Sequence, residues 1–151
     1  MKGTKGMTAK QYLSEMQTMK TKISQLQEQR QMYLEMATSI TATVNPVKVQ
    51  MSGTPDRVGD NASKAADIGT KIDEEINALF RKQQEVIKQI QSLRNAEYMQ
   101  ILFKVYVQEK TIKQASAEMQ RSYNYVLGIH KKALKTFEET HRNVLMNEID
   151  T

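Results

Sequence analysis

The segment YMQILFKVYVQEKTIKQASAEMQRSYNYVLGIHKKALKTF, residues 98–137, decides the fold expected of this chain. Its apolar residues recur every three or four positions, which is the spacing of amphipathic helices. The first predicted helix runs from Tyr98 to about Val107 and ends at the polar break Gln108-Glu109-Lys110. One side of it carries four apolar or aromatic residues, Ile101, Leu102, Val105 and Tyr106.

The rest of the segment predicts two further helices joined by a turn. Thr111 and Gln114 have the spacing of a capping box, so Thr111 is expected to begin the second helix. Ser122 is a favoured N-cap residue and follows the short turn Gln120-Arg121, so it is expected to begin the third. The apolar positions are Ile112, Ala115 and Met119 in the second helix and Val126, Ile129, Ala133, Leu134 and Phe137 in the third. The last two helices therefore predict a helix-turn-helix.

A helix-turn-helix places its second helix in the major groove of duplex DNA. Asn124 can pair bidentately with adenine, and Leu127 can touch a thymine methyl group. Lysines suit phosphates, which give affinity but no sequence information. The predicted DNA-binding residues are Ser122, Tyr123, Asn124, Leu127, Gly128, His130, Lys131, Lys132 and Lys135. Among these, His130 is expected either to contact a phosphate or to pack. The alternative for the whole segment is a small helical unit whose lysines only keep it in solution.

Two long heptad patterns precede this segment, from about Thr8 to Thr43 and from about Ala62 to Leu93. Both alternate spacings of four and three residues, as a coiled coil does. The positions are Tyr12, Met16, Met19, Ile23, Leu26, Arg30, Tyr33, Ala37, Ile40 and Val44, then Ala65, Gly69, Ile72, Ile76, Leu79, Gln83, Val86, Ile90 and Leu93. Two such helices joined by a loop are expected to fold back as an antiparallel pair. Phe80 and Ile87 widen the apolar face, so the C-terminal helices or, preferably, a second copy of the chain is expected to cover it.

Composition favours an all-α protein without disulfides. Tryptophan and cysteine are absent, and glycine and proline are few. The lack of cysteine fits a reducing cytoplasm, where the chain is expected to act. No segment approaches the apolar length that spans a bilayer, so no membrane partner is expected. Residues 94–142 hold nine basic and five acidic residues of a chain whose net charge is +5, and this local excess favours double-stranded DNA as a partner.

No constellation of side chains predicts an enzyme. His130 and His141 would lie roughly 16 Å apart on one helix, too far to share a metal ion. Asp73-Glu74-Glu75 are consecutive, and consecutive residues on a helix point in different directions. The spacing Gly3-x-x-Gly6 is too short for a phosphate-binding loop. No catalytic residue, metal ligand or cofactor is therefore expected.

The C-terminal segment resembles region 4 of bacterial sigma factors, whose recognition helix follows the pattern I-x-x-I-x-x-x-A-L-x-x-L. The whole chain is similar to ArpU-type late-gene regulators, small phage and prophage proteins of Gram-positive bacteria. The matching residues are Met7-Thr8-Ala9-Lys10-Gln11-Tyr12-Leu13, then Asp56-Arg57-Val58-Gly59 with Lys64 in a turn, and finally Ser122-Tyr123, Val126, His130 and Ala133-Leu134. The resemblance implies a phage-encoded, sequence-specific transcription regulator.

Several residues depart from the family pattern. Gln120 stands where a turn glycine is usual, and glycine would relieve a left-handed backbone. Ala115 and Ser116 stand where the family favours a large aliphatic residue followed by alanine. Gly128 lies mid-helix, where a long polar side chain normally reads bases. These departures keep open an alternative, a protein-interaction module whose coiled hairpin binds a host protein such as RNA polymerase or a repressor.

The expected fold is all-α: a long antiparallel coiled-coil helical hairpin followed by a C-terminal three-helix, sigma region 4-like helix-turn-helix module. The expected domains are a disordered basic tip at 1–7, the hairpin at 8–94 with its loop at 44–61, the DNA-binding module at 95–142 and a tail at 143–151. A homodimer formed through the hairpin would place two recognition helices on neighbouring half-sites.

Overall fold

The computed structural model describes the backbone of residues 6–43 and 56–150, and the side chains of residues 6–38 and 58–146. Every regular element in these ranges is helical, as the composition predicts. The elements are α1 (Ala9–Thr43), α2 (Asp56–Gln91), α3 (Ala96–Leu102), a π-helical turn (Phe103–Val107), α4 (Ile112–Met119), α5 (Tyr123–Thr140) and α6 (Arg142–Asp150). None of the described helices is both long and apolar enough to cross a membrane.

The described chain forms two compact units. One contains residues up to Thr18 together with those from Phe80 onward, and the other is Met19–Leu79. The first therefore combines the predicted helix-turn-helix with the adjacent ends of both long helices.

In the unit Met19–Leu79, α1 and α2 run antiparallel. The ammonium of Lys22 lies 3.2 Å from the Glu75 carboxylate, and Nε of Arg30 is 3.3 Å from where a Cβ on Gly69 would stand. Residues later in α1 therefore contact residues earlier in α2, as expected of an antiparallel pair. The apolar cluster between the two helices consists of Ile23, Leu26 and Ile72, with Ile68 and Leu79 packed partly against it.

Most of the predicted heptad positions with described side chains are buried or half-buried. In the second heptad pattern, the better buried of the two repeating positions is the one shared by Ala65, Ile72, Leu79 and Val86 on α2 and by Leu93 just after it. Ile76, which belongs to the other position, is 43% exposed, so its predicted burial is wrong. Ile72 and Leu79 on the neighbouring turns fill the apolar contact instead. Ile40 and Val44 lie outside the described side chains.

The other unit has its own core, built from the first turns of α1, the last turns of α2 and the C-terminal helices. Its largest fully buried side chains are Tyr12, Leu13, Met16, Val86, Ile90, Ile101, Leu102, Val126 and Phe137. The hydroxyl of Tyr12 donates to Oε1 of Gln89 at 2.8 Å, and its ring centroid lies 6.0 Å from that of Phe137. Leu13 is outside the predicted seam yet fully buried.

Caps fix where two helices of this unit begin. Thr8 and Gln11 form a capping box at the start of α1: N–H of Gln11 donates to Oγ1 of Thr8 at 3.1 Å, and N–H of Thr8 donates to Oε1 of Gln11 at 2.8 Å. Oδ1 of Asn95 accepts from the first turn of α3, which starts that helix at Ala96 rather than at the predicted Tyr98. Both capping residues, Thr8 and Asn95, are of types that favour the N-cap position, so these two helix starts are indicated in the sequence.

Other boundaries differ from the prediction. Helix α2 begins at Asp56, so the segment Asp56-Arg57-Val58-Gly59, which was predicted as a turn, is helical. Of the predicted loop 44–61, residues 56–61 are therefore part of α2, and residues 44–55 lie outside the described part of the chain. Gly59 has no neighbour within 4 Å of an added Cβ, and a glycine in such a setting is tolerated within a helix at modest cost.

The two chain ends also differ from the expected tip and tail. Residues 1–5 of the predicted disordered tip lie outside the described part, but Gly6 and Met7 are half-buried. A Cβ on Gly6 would stand 2.9 Å from the carbonyl oxygen of Leu145, which is itself 4% exposed. The region predicted as a tail is thus the helix α6, packed against the start of the chain.

The first helix of the predicted trihelical module changes its winding midway. It is α-helical to Leu102 and then widens into the π-helical turn, which ends with N–H of Gln108 donating to the carbonyl of Phe103 at 3.0 Å. Glu109 follows with a left-handed φ of 59°, and N–H of Lys110 donates back to the carbonyl of Lys104 at 2.9 Å. Periodicity alone does not distinguish this winding from an α-helix.

Candidate nucleic-acid interface

Helices α4 and α5 are joined by a tight turn with a left-handed residue. The predicted capping box at Thr111 and Gln114 is present, with both reciprocal bonds. At the other end of α4, Gln120 has φ 57° and ψ 43°. Its N–H donates to the carbonyl of Ala117 at 3.2 Å, and that of Arg121 donates to Ser116 at 3.1 Å, which is the bonding of a Schellman motif. The motif ends α4 and sets the direction of α5.

Helix α5 then begins at the predicted N-cap. Oγ of Ser122 accepts from N–H of Tyr125 at 3.1 Å, so this side chain is used within the helix end itself. The predicted apolar stripe faces inward, with Val126, Ile129, Ala133 and Phe137 buried and Leu134 half-buried. On α4, Ala115 is buried as predicted and Ser116 is buried beside it, its hydroxyl donating to the carbonyl of Lys113 at 2.8 Å. Because the side chains of Ala115 and Ser116 are small, α4 can pack closely against α5.

The opposite face of α5 is open to solvent. At a rotation of about 100° per residue, the residues predicted to contact bases and the lysines predicted to contact phosphates fall on one side of the helix, away from the buried stripe. Tyr123 is 50% exposed, and Asn124, Lys131, Lys132 and Lys135 are exposed. Leu127 and Gly128 lie between them and are half-buried. The structure therefore brings these predicted residues together on one outward surface, which we call the α5 outer face.

Three of the acidic residues near α5 are bound by other groups, whereas Glu139 is exposed on α5 itself, four residues after Lys135. Glu118 binds the ammonium groups of Lys104 at 2.6 Å and Lys110 at 2.5 Å, and the hydrogen bonds from these two lysines lower the pKa of its carboxyl group. Glu138 accepts from N–H of Ala9 at 2.9 Å, at the start of α1. An anion at a helix N-terminus is a favourable arrangement. Glu118 is thus paired with two ammonium groups, and Glu138 is bound at the N-terminus of α1.

Glu97 on α3 is also bound by other side chains, which belong to the turn before α5 and to its first residues. It accepts from the Tyr125 hydroxyl at 2.9 Å and pairs with Arg121 at 3.1 Å, while the guanidinium of Arg121 stacks 4.8 Å from the Tyr125 ring centroid. The hydrogen bond to Glu97 raises the pKa of Tyr125. This cluster fixes the start of α5 relative to α3.

By contrast, Lys131, Lys132 and Lys135 form no ion pair with any carboxylate in the described part of the chain. Lys113, which the sequence analysis did not single out, is exposed in the first turn of α4 and is likewise without an ion-pair partner among the described residues. These four lysines therefore leave positive charge at the start of α4 and on the α5 outer face, with the exposed Glu139 at the end of α5 on the same side of the helix.

His130 lies off this face. Its Nε2 is 2.8 Å from the Tyr106 hydroxyl and its ring stacks on that of Tyr106, with centroids 5.7 Å apart. Burial, with a smaller contribution from the charge of Lys10, lowers the pKa of His130 below 6.5. Burial also raises the pKa of Tyr106 to about 12. His130 is therefore neutral at pH 7 and occupies the packing position, one of the two roles expected of it.

Gly128 is set in the middle of α5 without an evident packing reason. A Cβ added there would meet no heavy atom of the described residues within 4 Å. Glycine inside a helix is less favourable than alanine by about 1 kcal/mol. The side chain is thus absent at a position where the fold has space for one.

The described residues contain no cluster of three or more side chains suited to hold a metal ion. Comparisons with protein-family models, with curated proteins and with solved structures find no match to this chain.

Proposed function

We propose that this chain is a DNA-binding transcription regulator of the phage late-gene type, which inserts α5 into the major groove of duplex DNA. The observation that carries the proposal is the α5 outer face, where a carboxamide and three lysines without ion-pair partners lie opposite a buried apolar stripe. In this proposal the chain acts in the cytoplasm of a host bacterium.

Charge supports an anionic partner for this face. Each ammonium that contacts a phosphate releases a condensed counterion, which is the main source of sequence-independent affinity for DNA. Glu97 and Glu118 are paired with basic residues and Glu138 is bound to the start of α1, so with the exposed Glu139 at the end of α5 counted, the three lysines still leave a positive excess on this face. Lys113 at the start of α4 adds a cation where the first helix of such a motif crosses the DNA backbone.

The start of α5 supports reading of bases. Asn124 is exposed in the first turn of the helix, where recognition helices contact base edges. Its carboxamide can accept from N6 and donate to N7 of adenine, and a good bidentate pair contributes about 1–3 kcal/mol of discrimination. Ser122 supports this role indirectly, because its hydroxyl caps the turn that carries Asn124.

The long helices are proposed to form a coiled-coil hairpin that makes the chain a homodimer. On α2, Phe80 is 59% exposed and Ile87 is only partly buried. The C-terminal helices thus leave most of the Phe80 side chain open, and a second copy of the chain is the occupant that would pair two recognition helices with two half-sites.

A second candidate function is favoured by the same exposed Phe80. A protein-interaction module would use this surface to bind a host protein such as RNA polymerase or a repressor. Gly128 and Ala115 fit this candidate as well, since Gly128 lacks the long polar side chain that normally reads bases in the resembled family and Ala115 is smaller than the aliphatic residue the family favours.

Two experiments separate the candidates: selection of bound fragments from random-sequence and phage genomic DNA by the purified full chain, and pull-down from host lysate with nuclease treatment. The DNA-binding proposal predicts enrichment of a sequence motif, and Asn124→Ala is expected to reduce the preference for it by about 1–3 kcal/mol. Asn77→Ala, at an exposed asparagine on α2, is the matched control and leaves the preference unchanged. Failure to retain any duplex at low salt would contradict the proposal, and recovery of a stoichiometric host protein after nuclease treatment would favour the second candidate.

A further inference from the structure

Gly128 lies on the α5 outer face with no reason inside the described part of the chain to be a glycine. It sits within the 18-residue helix α5, and an added Cβ would meet nothing within 4 Å. Its backbone is that of an ordinary right-handed helix, so no left-handed conformation requires glycine. Glycine also loses more conformational freedom on folding than any other residue. Gly59 shows that a helix tolerates such a glycine at modest cost, so the surroundings of Gly128 decide what its missing side chain can serve.

The neighbours of Gly128 indicate what approaches it. Asn124 and Lys132 lie one turn before and one turn after it on the same side of the helix. Both are exposed, as are Lys131 and Lys135 beside them. The missing side chain therefore leaves a notch in the helix surface, bordered by a carboxamide at one end and by ammonium groups at the other. An occupant of this notch is narrow and anionic.

We propose that the notch between Asn124 and Lys132 receives one sugar–phosphate strand of the DNA duplex, an inference that rests on the proposed function of α5. A helix whose first turn reads bases rises out of the groove past a strand, and Gly128 is placed where that crossing falls. Without a Cβ the strand lies closer to the helix axis, which shortens the distance from its phosphates to the flanking lysines. The two Cα hydrogens of glycine can also donate weak hydrogen bonds to phosphate oxygens.

The test is to fill the notch with a methyl group. Gly128→Ala is expected to raise the melting temperature, because the position is open and alanine favours a helix. The same variant is expected to weaken binding of labelled mixed-sequence duplex DNA, measured by fluorescence anisotropy, by roughly tenfold. Gly59→Ala is the matched control, since Gly59 is another helical glycine with nothing within 4 Å of an added Cβ. It is expected to raise the melting temperature and leave the affinity unchanged.

Each other outcome decides against the inference. If Gly128→Ala binds duplex as tightly as the wild type, the notch is not used and the proposed function of α5 still stands. If the wild type itself shows no affinity for duplex at low salt, the proposed function and the notch both fail. A fall in the melting temperature of Gly128→Ala would reveal an internal need for glycine and would also overturn the inference.

Discussion

Replacing Gln120 by glycine tests the turn that orients α5. Gln120 is left-handed, with φ 57° and ψ 43°, and its exposed side chain makes no hydrogen bond to any of the described residues that would compensate. For an L-residue this conformation costs roughly 1–2 kcal/mol, which glycine avoids. Glycine also makes the unfolded chain more flexible, which lowers the free energy of unfolding by about 0.4–1 kcal/mol. The expected net gain in the free energy of unfolding for Gln120→Gly is therefore about 0.5–1 kcal/mol.

The assay is urea unfolding of the full chain followed by far-UV circular dichroism. Gln120→Ala is the matched control, because it removes the glutamine side chain but keeps a Cβ in the left-handed conformation. It is expected to be no more stable than the wild type, and the difference between the glycine and alanine variants isolates the backbone term. If glycine left the free energy of unfolding unchanged or lowered it, the left-handed turn and the direction it gives α5 would be contradicted.

Three further outcomes follow from named contacts. Burial lowers the pKa of His130, so folding favours its neutral form. The resulting contribution to stability is present above the unfolded pKa of about 6.5 and is lost as the pH falls through the folded pKa. His130→Gln should flatten this loss in thermal melts between neutral and mildly acidic pH. Ser122→Ala removes the cap of α5 and should lower the free energy of unfolding by about 1 kcal/mol, whereas Ser24→Ala at an exposed mid-helix position should not. Phe80→Glu should convert the proposed dimer into a monomer by sedimentation equilibrium while leaving the helix content unchanged, and a persistent dimer would exclude this surface.

The C-terminal helices could be predicted from sequence because their signals are local. The caps at Thr111 and Ser122 and the stripe from Val126 to Phe137 each depend on residues within a few positions of one another. The exposed fraction of Ile76 could not be predicted in the same way, since two heptad positions look alike until the partner helix selects one. Local patterns decide helices, whereas packing decides which faces are covered.

The interface was predicted only in part for the same reason. The spacing of Asn124 and the lysines places them on one side of a helix, as the structure does. The position of His130 against Tyr106 depends on the π-helical turn, which no periodicity indicates. The engagement of Glu97 and Glu118 by basic residues also depends on tertiary contacts. Sequence thus identified the lysines of α5, and the structure adds Lys113 and shows that Glu97 and Glu118 are paired with basic residues.

The salt dependence of DNA binding tests the central claim, that the α5 outer face contacts phosphates. The combined variant Lys131→Ala, Lys132→Ala and Lys135→Ala should make the slope of log Kobs against log salt shallower by about 2.7, at about 0.9 per phosphate contact. Removing the same charge from α2 with Lys71→Ala, Arg81→Ala and Lys88→Ala should leave the slope of the wild type unchanged. Equal slopes for the two variants, or a wild type that binds no duplex at low salt, would contradict it.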